Sequence, residues 1–314
     1  MATLRPLSFD RETALTLARR AILSRNTPDA EIAPFLSAVE RDVANGVAAG
    51  ALRVDDRRVI GIALWEPPAE LGVTVQVLYQ VEERQTPADY RSFFEEVQGV
   101  AGPVVFAPGF LAGLAEAEEN RVMQELGFAR FARSEMRLPP ETPTPNGAAD
   151  PSAPVRATLP SDLAELARLH EAAYRGTFDR YLFLVHADPV KDADLAVREI
   201  LSGRWGEFLA WASPVIVEGV HLRAAALVVR APYGPLIADV MVDLASRGQG
   251  LGRAVLNRSV RALRERGETV IVLNVTEGNR RAIHLYESAG FVRSVGPGHG
   301  WYSTGRIPVA PETT

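Results

Sequence analysis

Leu236-Ile-Ala-Asp-Val-Met-Val-Asp-Leu-Ala-Ser-Arg-Gly-Gln-Gly-Leu-Gly-Arg253 joins an apolar run to a glycine-rich turn and the start of a longer segment. The apolar run, Leu236 to Val242, has the composition of a buried strand. After the turn, Leu256, Val260 and Leu263 recur at helical spacing before a closing glycine, as in an amphipathic helix. The stretch therefore predicts a strand, a loop and a helix in succession.

This order of elements suits phosphate binding. The first turn of a helix has N–H donors without intrahelical partners, and its dipole favours an anion. Gly248, Gly250 and Gly252 remove side chains that would obstruct a diphosphate. Their spacing matches neither a P-loop, which needs Lys-Ser/Thr after its last glycine, nor the Gly-x-Gly-x-x-Gly fingerprint of dinucleotide-binding domains. A tight turn without any ligand is the alternative interpretation of the glycines alone.

A second strand and helix follow. Thr269 to Val275 is a β-branched apolar run, as in a buried strand. Beyond it, Asn279, Ala282 and Tyr286 have the i, i+3, i+7 spacing that places residues on one helical face. Together with Arg247-x-x-Gly250-x-Gly252, this second motif resembles the two signatures of the GNAT N-acetyltransferases, over roughly Val155 to Arg306.

The resemblance implies an α+β fold, in which a mixed, mostly antiparallel sheet is flanked by about four helices. It also implies acetyl-CoA as co-substrate, no metal, and a small-molecule or peptide amine as acceptor. The residues implied to contact the cofactor are Val240, Met241, Val242, Arg247, Gly248, Gln249, Gly250, Leu251, Gly252, Arg253, Asn279 and Ala282. A splayed strand at Asp239 to Val242 would bind the pantetheine arm, with one backbone N–H facing the thioester oxygen. Tyr286 matches the family's acid, which protonates the coenzyme A thiolate; an ordinary half-buried tyrosine is the alternative.

Acetyl transfer also needs a base, because an ammonium group has no lone pair. In the family members that acetylate ribosomal proteins, a glutamate lies five residues before the asparagine, and here that residue is Asn274, which cannot accept a proton at neutral pH. The remaining carboxylates are Asp239, Asp243 and Glu218, and Asp239 is our candidate. A water relay or an amine that is already neutral would also serve. The missing glutamate disfavours a protein N-terminus as substrate.

Composition narrows the classes of function. The chain of 314 residues exceeds one ordinary domain, and 47% hydrophobic with 23% charged residues is a normal globular balance. It lacks an 18-residue apolar run and an N-terminal signal core, which argues against a membrane partner. Its lack of cysteine excludes an acetyl-cysteine intermediate and suits the cytoplasm. The net charge of −5 argues against nucleic-acid binding, and so against an aminoacyl-tRNA donor.

The first half of the chain resembles a degenerate copy of the second. Leu138 to Pro154 contains six prolines and predicts a linker at 139–154, between domains at 1–138 and 155–314. A gapless offset of 163 residues superimposes the strands and helices of the two halves and places Gly290-Phe291 on Gly127-Phe128. The glycine loop falls on Arg84-Gln-Thr-Pro-Ala-Asp89, which has no glycine. Tyr286 and Asn279 fall on Met123 and Glu116, so only the second domain is expected to bind acetyl-CoA.

Further local predictions concern the termini of elements and the acceptor site. Asp162 and Glu165 predict a helix that begins with a capping box, and His170 on its apolar face is expected to be a core histidine. The resemblance places the acceptor between the loops Gly176 to Asp188 and Gly296 to Tyr302, which are rich in aromatic and histidine residues; a hydrophobic seal between the domains is the alternative. Two further functions stay open: a non-catalytic acyl-CoA-binding regulator, and a transferase that uses another acyl donor.

Overall fold

A computed structural model describes residues 2–24, 36–37, 39–41, 49–66, 72–143, 154–183, 188–231, 234–294 and 298–305. The chain divides into two compact units. The first contains the described residues up to Phe131 together with 298–305, and the second contains those between Ala132 and 294. Most of the proline-rich segment, 144–153, lies outside the described residues, as do 184–187 and 295–297.

The first unit is a mixed sheet with helices. Its elements are β1 (Thr3–Pro6), α1 (Arg11–Leu23), β2 (Ala49–Asp55), β3 (Arg58–Trp65), β4 (Val73–Gln80), α2 (Pro87–Ala101), β5 (Val104–Pro108), α3 (Glu116–Glu125) and β14 (Gly298–Ser303). The strand order is β1-β2-β3-β4-β5-β14, and only β4 and β5 pair in parallel. Strands β2 and β3 form a hairpin, with Asp56 and Arg57 at φ 44° and 68° in its turn.

The second unit repeats this plan. Its elements are β6 (Phe128–Leu138, from Ala132 onwards), β7 (Val155–Ala157), α4 (Leu163–Tyr174), α5 (Pro189–Leu201), β8 (Glu207–Phe208), β9 (Pro214–Glu218), β10 (His221–Ala231), β11 (Gly234–Val242), α6 (Leu251–Glu265), β12 (Ile271–Thr276), α7 (Arg280–Ser288) and β13 (Val292–Arg293). The order β7-β9-β10-β11-β12-β6 contains one parallel pair, β11 with β12. The predicted α+β fold with a mostly antiparallel sheet is therefore confirmed. None of the described helices is long and apolar enough to span a bilayer.

The compact units differ from the predicted boundaries because each takes its last strand from the other half of the sequence. In the second unit, β6 pairs with β12 from Leu138↔Ile271 to Arg133↔Thr276. In the first unit, β14 pairs with β5 and buries Trp301, whose indole N–H donates to Glu119 at 2.9 Å. Burial of this large apolar ring holds β14 in the core of the first unit.

The prediction of a gapless internal repeat is wrong in detail. The offset of 163 places Leu236 on Val73 and Val272 on Gly109, yet Leu236 pairs with Val272 whereas Val73 pairs with Val104. The connection between the parallel strands is therefore five residues shorter in the first unit, and the repeat is not gapless.

The predicted capping box at α4 is also absent. The Asp162 carboxylate accepts from Leu159 N–H at 2.8 Å and forms an ion pair with Arg156. Glu165 accepts from Leu222 N–H at 3.1 Å and contacts His221. Neither carboxylate therefore makes the hydrogen bond that the predicted capping box requires, because a short 3₁₀ turn, Pro160–Asp162, precedes the helix.

Candidate active site

A cleft opens in the second unit where β11 and β12 separate. In the described structure the two strands pair only through Leu236↔Val272 and Ile237↔Leu273. On the neighbouring strand β10, Leu227 pairs with Asp239 and Val228 pairs with Ile237. Ala238 therefore has no partner on β10 and forms a bulge in β11. The ends of the two strands line a cleft of about 1470 Å³, together with α7 and the glycine loop. Ligands commonly bind beyond the carboxyl ends of parallel strands.

The glycine loop borders this cleft at the N-terminus of α6. Gly248 and Gly250 have φ of 80° and 78°, and a Cβ added at either would meet open space. Gly250 is the N-cap and provides no side-chain cap for the helix. Among the described residues, none accepts a hydrogen bond from the N–H groups of Gly248, Gln249 or Gly250. These donors and the helix dipole therefore leave an open anion site.

The other predicted loop residues differ in what they contact. A Cβ at Gly252 would lie 3.2 Å from Val242 Cγ2, so this glycine permits close packing of helix on strand. Arg247 donates to the Ala173 carbonyl at 2.6 Å, and Arg253 donates to Ser288 Oγ at 2.8 Å, both at the cleft wall. Gln249 is not among the lining residues.

Of the predicted strand residues, Val240 and Val242 line the cleft. Met241 points to the opposite face and is fully buried against α4 and α5 in the core. The alternation of strand side chains explains this separation, since neighbours along a strand face opposite sides. Met241 could contact a cofactor only through its backbone.

Asn279 is the N-cap of helix α7. Its Oδ1 accepts from Ala282 N–H at 3.1 Å and caps the helix, while its Nδ2 donates to Asp179 at 2.9 Å. The hydroxyl of Thr276 also donates to Asp179. Asn279 and Ala282 both line the cleft. The polar atoms of Asn279 thus orient α7 and hold Asp179 in place.

Asp239 is a titratable group in the wall of the cleft. Its side chain is buried, and the Tyr174 hydroxyl donates to its Oδ1 at 2.5 Å. Burial raises the pKa of Asp239 from 3.8 to about 7, against the opposing effect of the hydrogen bond from Tyr174. His170 lies with Nε2 3.7 Å from Asp239 Oδ2, and burial lowers its pKa to about 4, so the imidazole is neutral.

Tyr286 faces the same cleft from α7. Its ring packs in the core of the second unit, 6.2 Å from the ring of Phe291. Burial, followed by the negative charges of Asp239 and Asp179, raises the pKa of the Tyr286 hydroxyl above its ordinary value. The hydroxyl therefore stays protonated at neutral pH and can act as an acid.

The other two candidate bases are engaged elsewhere. Asp243 accepts from Arg168 at 3.2 Å and from Ala245 N–H at 3.1 Å, and its pKa is lowered, because these hydrogen bonds and nearby arginine charges outweigh its desolvation. Glu218 is exposed and forms an ion pair with Arg223 at 2.7 Å. Neither lines the cleft, whereas Asn274 does.

Sequence reasoning did not single out Tyr174 or Arg133 as cleft residues, and it included Asp179 only as part of the loop Gly176 to Asp188, of which Gly176, Thr177 and Asp179 line the cleft. Tyr174 lies one helical turn after His170, and that i, i+4 spacing was a usable signal. Asp179 belongs to a 3₁₀ segment, Phe178–Phe183, and Arg133 precedes the linker in the sequence. Neither position carries a motif. The loop Gly296 to Tyr302, predicted to line the acceptor site, instead contributes β14 to the first unit from Gly298 onwards.

Parts of the chain are similar to known proteins. Residues 165–291 match the profile of the acetyltransferase (GNAT) family. A segment of 90 residues is 39% identical to the mycothiol acetyltransferase of Thermobispora bispora, covering 28% of this chain and 30% of the relative. A segment of 124 residues is 33% identical to glucosamine 6-phosphate N-acetyltransferase 1 of Oryza sativa subsp. japonica, covering 40% and 65%. The chain thus spans less than two thirds of either relative.

A solved structure extends the likeness in fold to nearly the whole chain. The tandem GNAT protein from the clavulanic acid biosynthesis pathway superimposes with a TM-score of 0.58 over 96% of this chain and 98% of that chain, at 14% identity. At such identity the likeness concerns the fold. The chain therefore has the tandem GNAT fold, and its second unit belongs to the GNAT acetyltransferase family.

Proposed function

We propose that the protein is an acetyl-CoA-dependent N-acetyltransferase whose second unit transfers the acetyl group directly to the amine of a small molecule. The observation that carries this proposal is one cleft bordered by an open helix N-terminus at Gly250, a buried carboxyl at Asp239 and a protonated phenol at Tyr286. The two relatives are named for different small-molecule acceptors, so they support the class of acceptor and not its identity.

The cleft fits the chemistry of acetyl-CoA. The diphosphate would take the free N–H groups of Gly248 to Gly250, where open space replaces side chains. Val240 and Val242 offer an apolar wall for the pantetheine arm. Bound there, acetyl-CoA would supply the acetyl group as a thioester.

The chain's own residues would then move two protons. Asp239, with a pKa of about 7, would take the proton of the incoming ammonium group, which frees a lone pair for attack. Tyr286 would give its phenolic proton to the departing sulfur, and the proton that the new amide nitrogen loses would restore it. The Tyr174 hydroxyl holds Asp239 in position through a single hydrogen bond.

Turnover of acetyl-CoA over a panel of small amines tests the proposal. Because Asp239 must be deprotonated, kcat/KM should rise with pH through about 7 and then level off. Asp239→Asn should lower kcat/KM by about a hundredfold or more at pH 8. Binding of acetyl-CoA without turnover of any amine would instead favour a non-catalytic acyl-CoA-binding regulator.

A further inference from the structure

We propose that the acceptor amine carries an anionic group, and that Arg133 binds it. This inference rests on the proposed acetyl transfer and names the chemical class of its acceptor: an amine that also bears a carboxylate or a phosphate. Arg133 lies on β6, the strand that the first half of the sequence contributes to the second unit.

Arg133 lines the same cleft as Asp239 and Tyr286. It pairs across the sheet with Thr276, the last residue of β12, so it lies at the end where the cleft opens. Its positive charge acts on Tyr286, where it opposes the rise in the pKa of the phenol. The guanidinium is therefore close to the group proposed to protonate the leaving sulfur.

Arg133 has an unsatisfied donor in the part of the chain that the structure describes. Its Nε is buried, and no acceptor among the described residues receives its hydrogen. By contrast, Arg175 pairs with Glu171 at 2.6 Å and Arg247 donates to a carbonyl. A buried donor without an acceptor is costly, and an anionic ligand would satisfy it. The planar fork of a guanidinium matches the two oxygens of a carboxylate or phosphate.

The sheet order separates this position from the diphosphate site. The glycine loop follows β11, whereas β6 lies on the far side of β12. An anion at Arg133 would therefore belong to the acceptor. If Asp239 binds the ammonium group and Arg133 binds an anion, the cleft has one negative and one positive site. A ligand that carries both an ammonium and an anionic group would match these sites better than a simple amine.

Wild-type protein loaded with coenzyme A provides the first test, by calorimetric titration with matched acceptors. One arm compares amino acids with their amides, and the other compares glucosamine 6-phosphate with glucosamine. The charged member of at least one pair should bind about tenfold to a hundredfold more tightly. The first arm identifies a carboxylate and the second a phosphate. Equal affinities in both arms, or no binding by any anionic amine, would overturn the proposal.

Variants then assign the effect to this residue. Arg133→Gln should weaken binding of the anionic acceptor about tenfold to a hundredfold and leave its neutral counterpart within about twofold. Arg133→Lys keeps the positive charge without the planar guanidinium, so its affinity for the anionic acceptor should lie between those of wild type and Arg133→Gln. Arg137→Gln is the matched control, because Arg137 is on the same strand but is paired with Glu135 at 2.7 Å and is not a lining residue.

The failures of the two proposals are distinguishable. If Arg133→Gln weakens coenzyme A and leaves the acceptor unchanged, the residue serves the cofactor and this inference is wrong. Turnover of neutral amines, with no preference for charged ones, would also overturn it while leaving acetyl transfer intact. Since the titrations need no turnover, they remain decisive even if no amine is acetylated. If Arg133→Gln does not fold, the wild-type pairs and Arg133→Lys decide.

Discussion

The surroundings of Asp239 change the ionisation of its side chain. An aspartate on an exposed strand would stay ionised at neutral pH, but here the bulge at Ala238 and the packing of α4 against β11 enclose the carboxyl. Burial disfavours the charged form and brings the pKa close to 7. A base is most effective when its pKa lies near the working pH.

The raised pKa has a consequence for stability that does not depend on activity. Between pH 3.8 and about 7 the folded protein holds a proton on Asp239 that the unfolded chain has released. The stability from that proton is fully present below pH 4 and is lost as the pH rises through 7. The amide in the Asp239→Asn variant does not titrate. The free energy of unfolding of wild type, relative to that variant, should therefore fall by roughly 2–3 kcal/mol from pH 5 to pH 8. Urea denaturation of both proteins at both pH values measures this, and a constant difference would contradict the raised pKa.

Tyr286 is tested by removing its hydroxyl alone. In Tyr286→Phe the ring should keep its packing against Phe291, so the fold and the cofactor site persist. If the hydroxyl protonates the leaving sulfur, kcat should fall about a hundredfold, which is about 3 kcal/mol in the transition state. Acetyl-CoA affinity should stay within about threefold. The measurement needs conditions in which chemistry limits turnover. An unchanged kcat there would remove Tyr286 from the mechanism.

The N-termini of two corresponding helices differ in the hydrogen-bond donors that they leave for an anion. Helix α2 of the first unit begins with Thr86, whose side chain accepts from Asp89 N–H at 3.2 Å, and with Pro87, which has no N–H. Helix α6 begins at Gly250 without a side-chain cap. The first helix thus caps one donor with its own side chain, lacks another at Pro87 and adds the negative charge of Asp89. The second helix has no side-chain cap, so its donors are available to a ligand.

Replacement of Gly250 tests this difference. Gly250→Val places a branched side chain in the open space over the helix N-terminus and should weaken coenzyme A binding at least about tenfold. Valine at positive φ also strains the backbone by about 1–2 kcal/mol. Gly267→Val is the matched control, because Gly267 has φ 81° and open space at the other end of the same helix. It should share the loss of stability and keep the affinity. Equal affinity losses in calorimetry would show that strain, and not obstruction, explains the effect.

Local patterns predicted the elements well, and the limits of prediction lie in tertiary contacts. The glycine spacing and the apolar runs located β11, α6, β12 and α7, because propensity and periodicity act over a few residues. Trp301 was predicted to lie at the acceptor site, yet it is buried in the first unit. No local signal reports which sheet a strand joins. Arg133 was missed for the same reason, since its place at the cleft depends on pairing with Thr276, 143 residues later.

Because each compact unit takes its last strand from the other half of the sequence, the predicted linker does not separate two complete units. A cut at the proline-rich segment would remove β6 from the second unit and leave β12 with an unpaired edge. The first half of the sequence is therefore needed to complete the sheet that holds the candidate site.

The two units should differ in ligand stoichiometry. At the positions that match Asn279 and Tyr286, the first unit has Glu116, exposed and paired with Arg130, and Met123, buried in its core. Its helix N-terminus is already capped, so coenzyme A should bind once per chain, in the second unit. Titration calorimetry on the full chain should give one site, and Gly250→Val should weaken that site without revealing another. Two sites of equal affinity would show that a capped helix N-terminus without glycine can still hold the diphosphate, and the functional distinction between the units would fall.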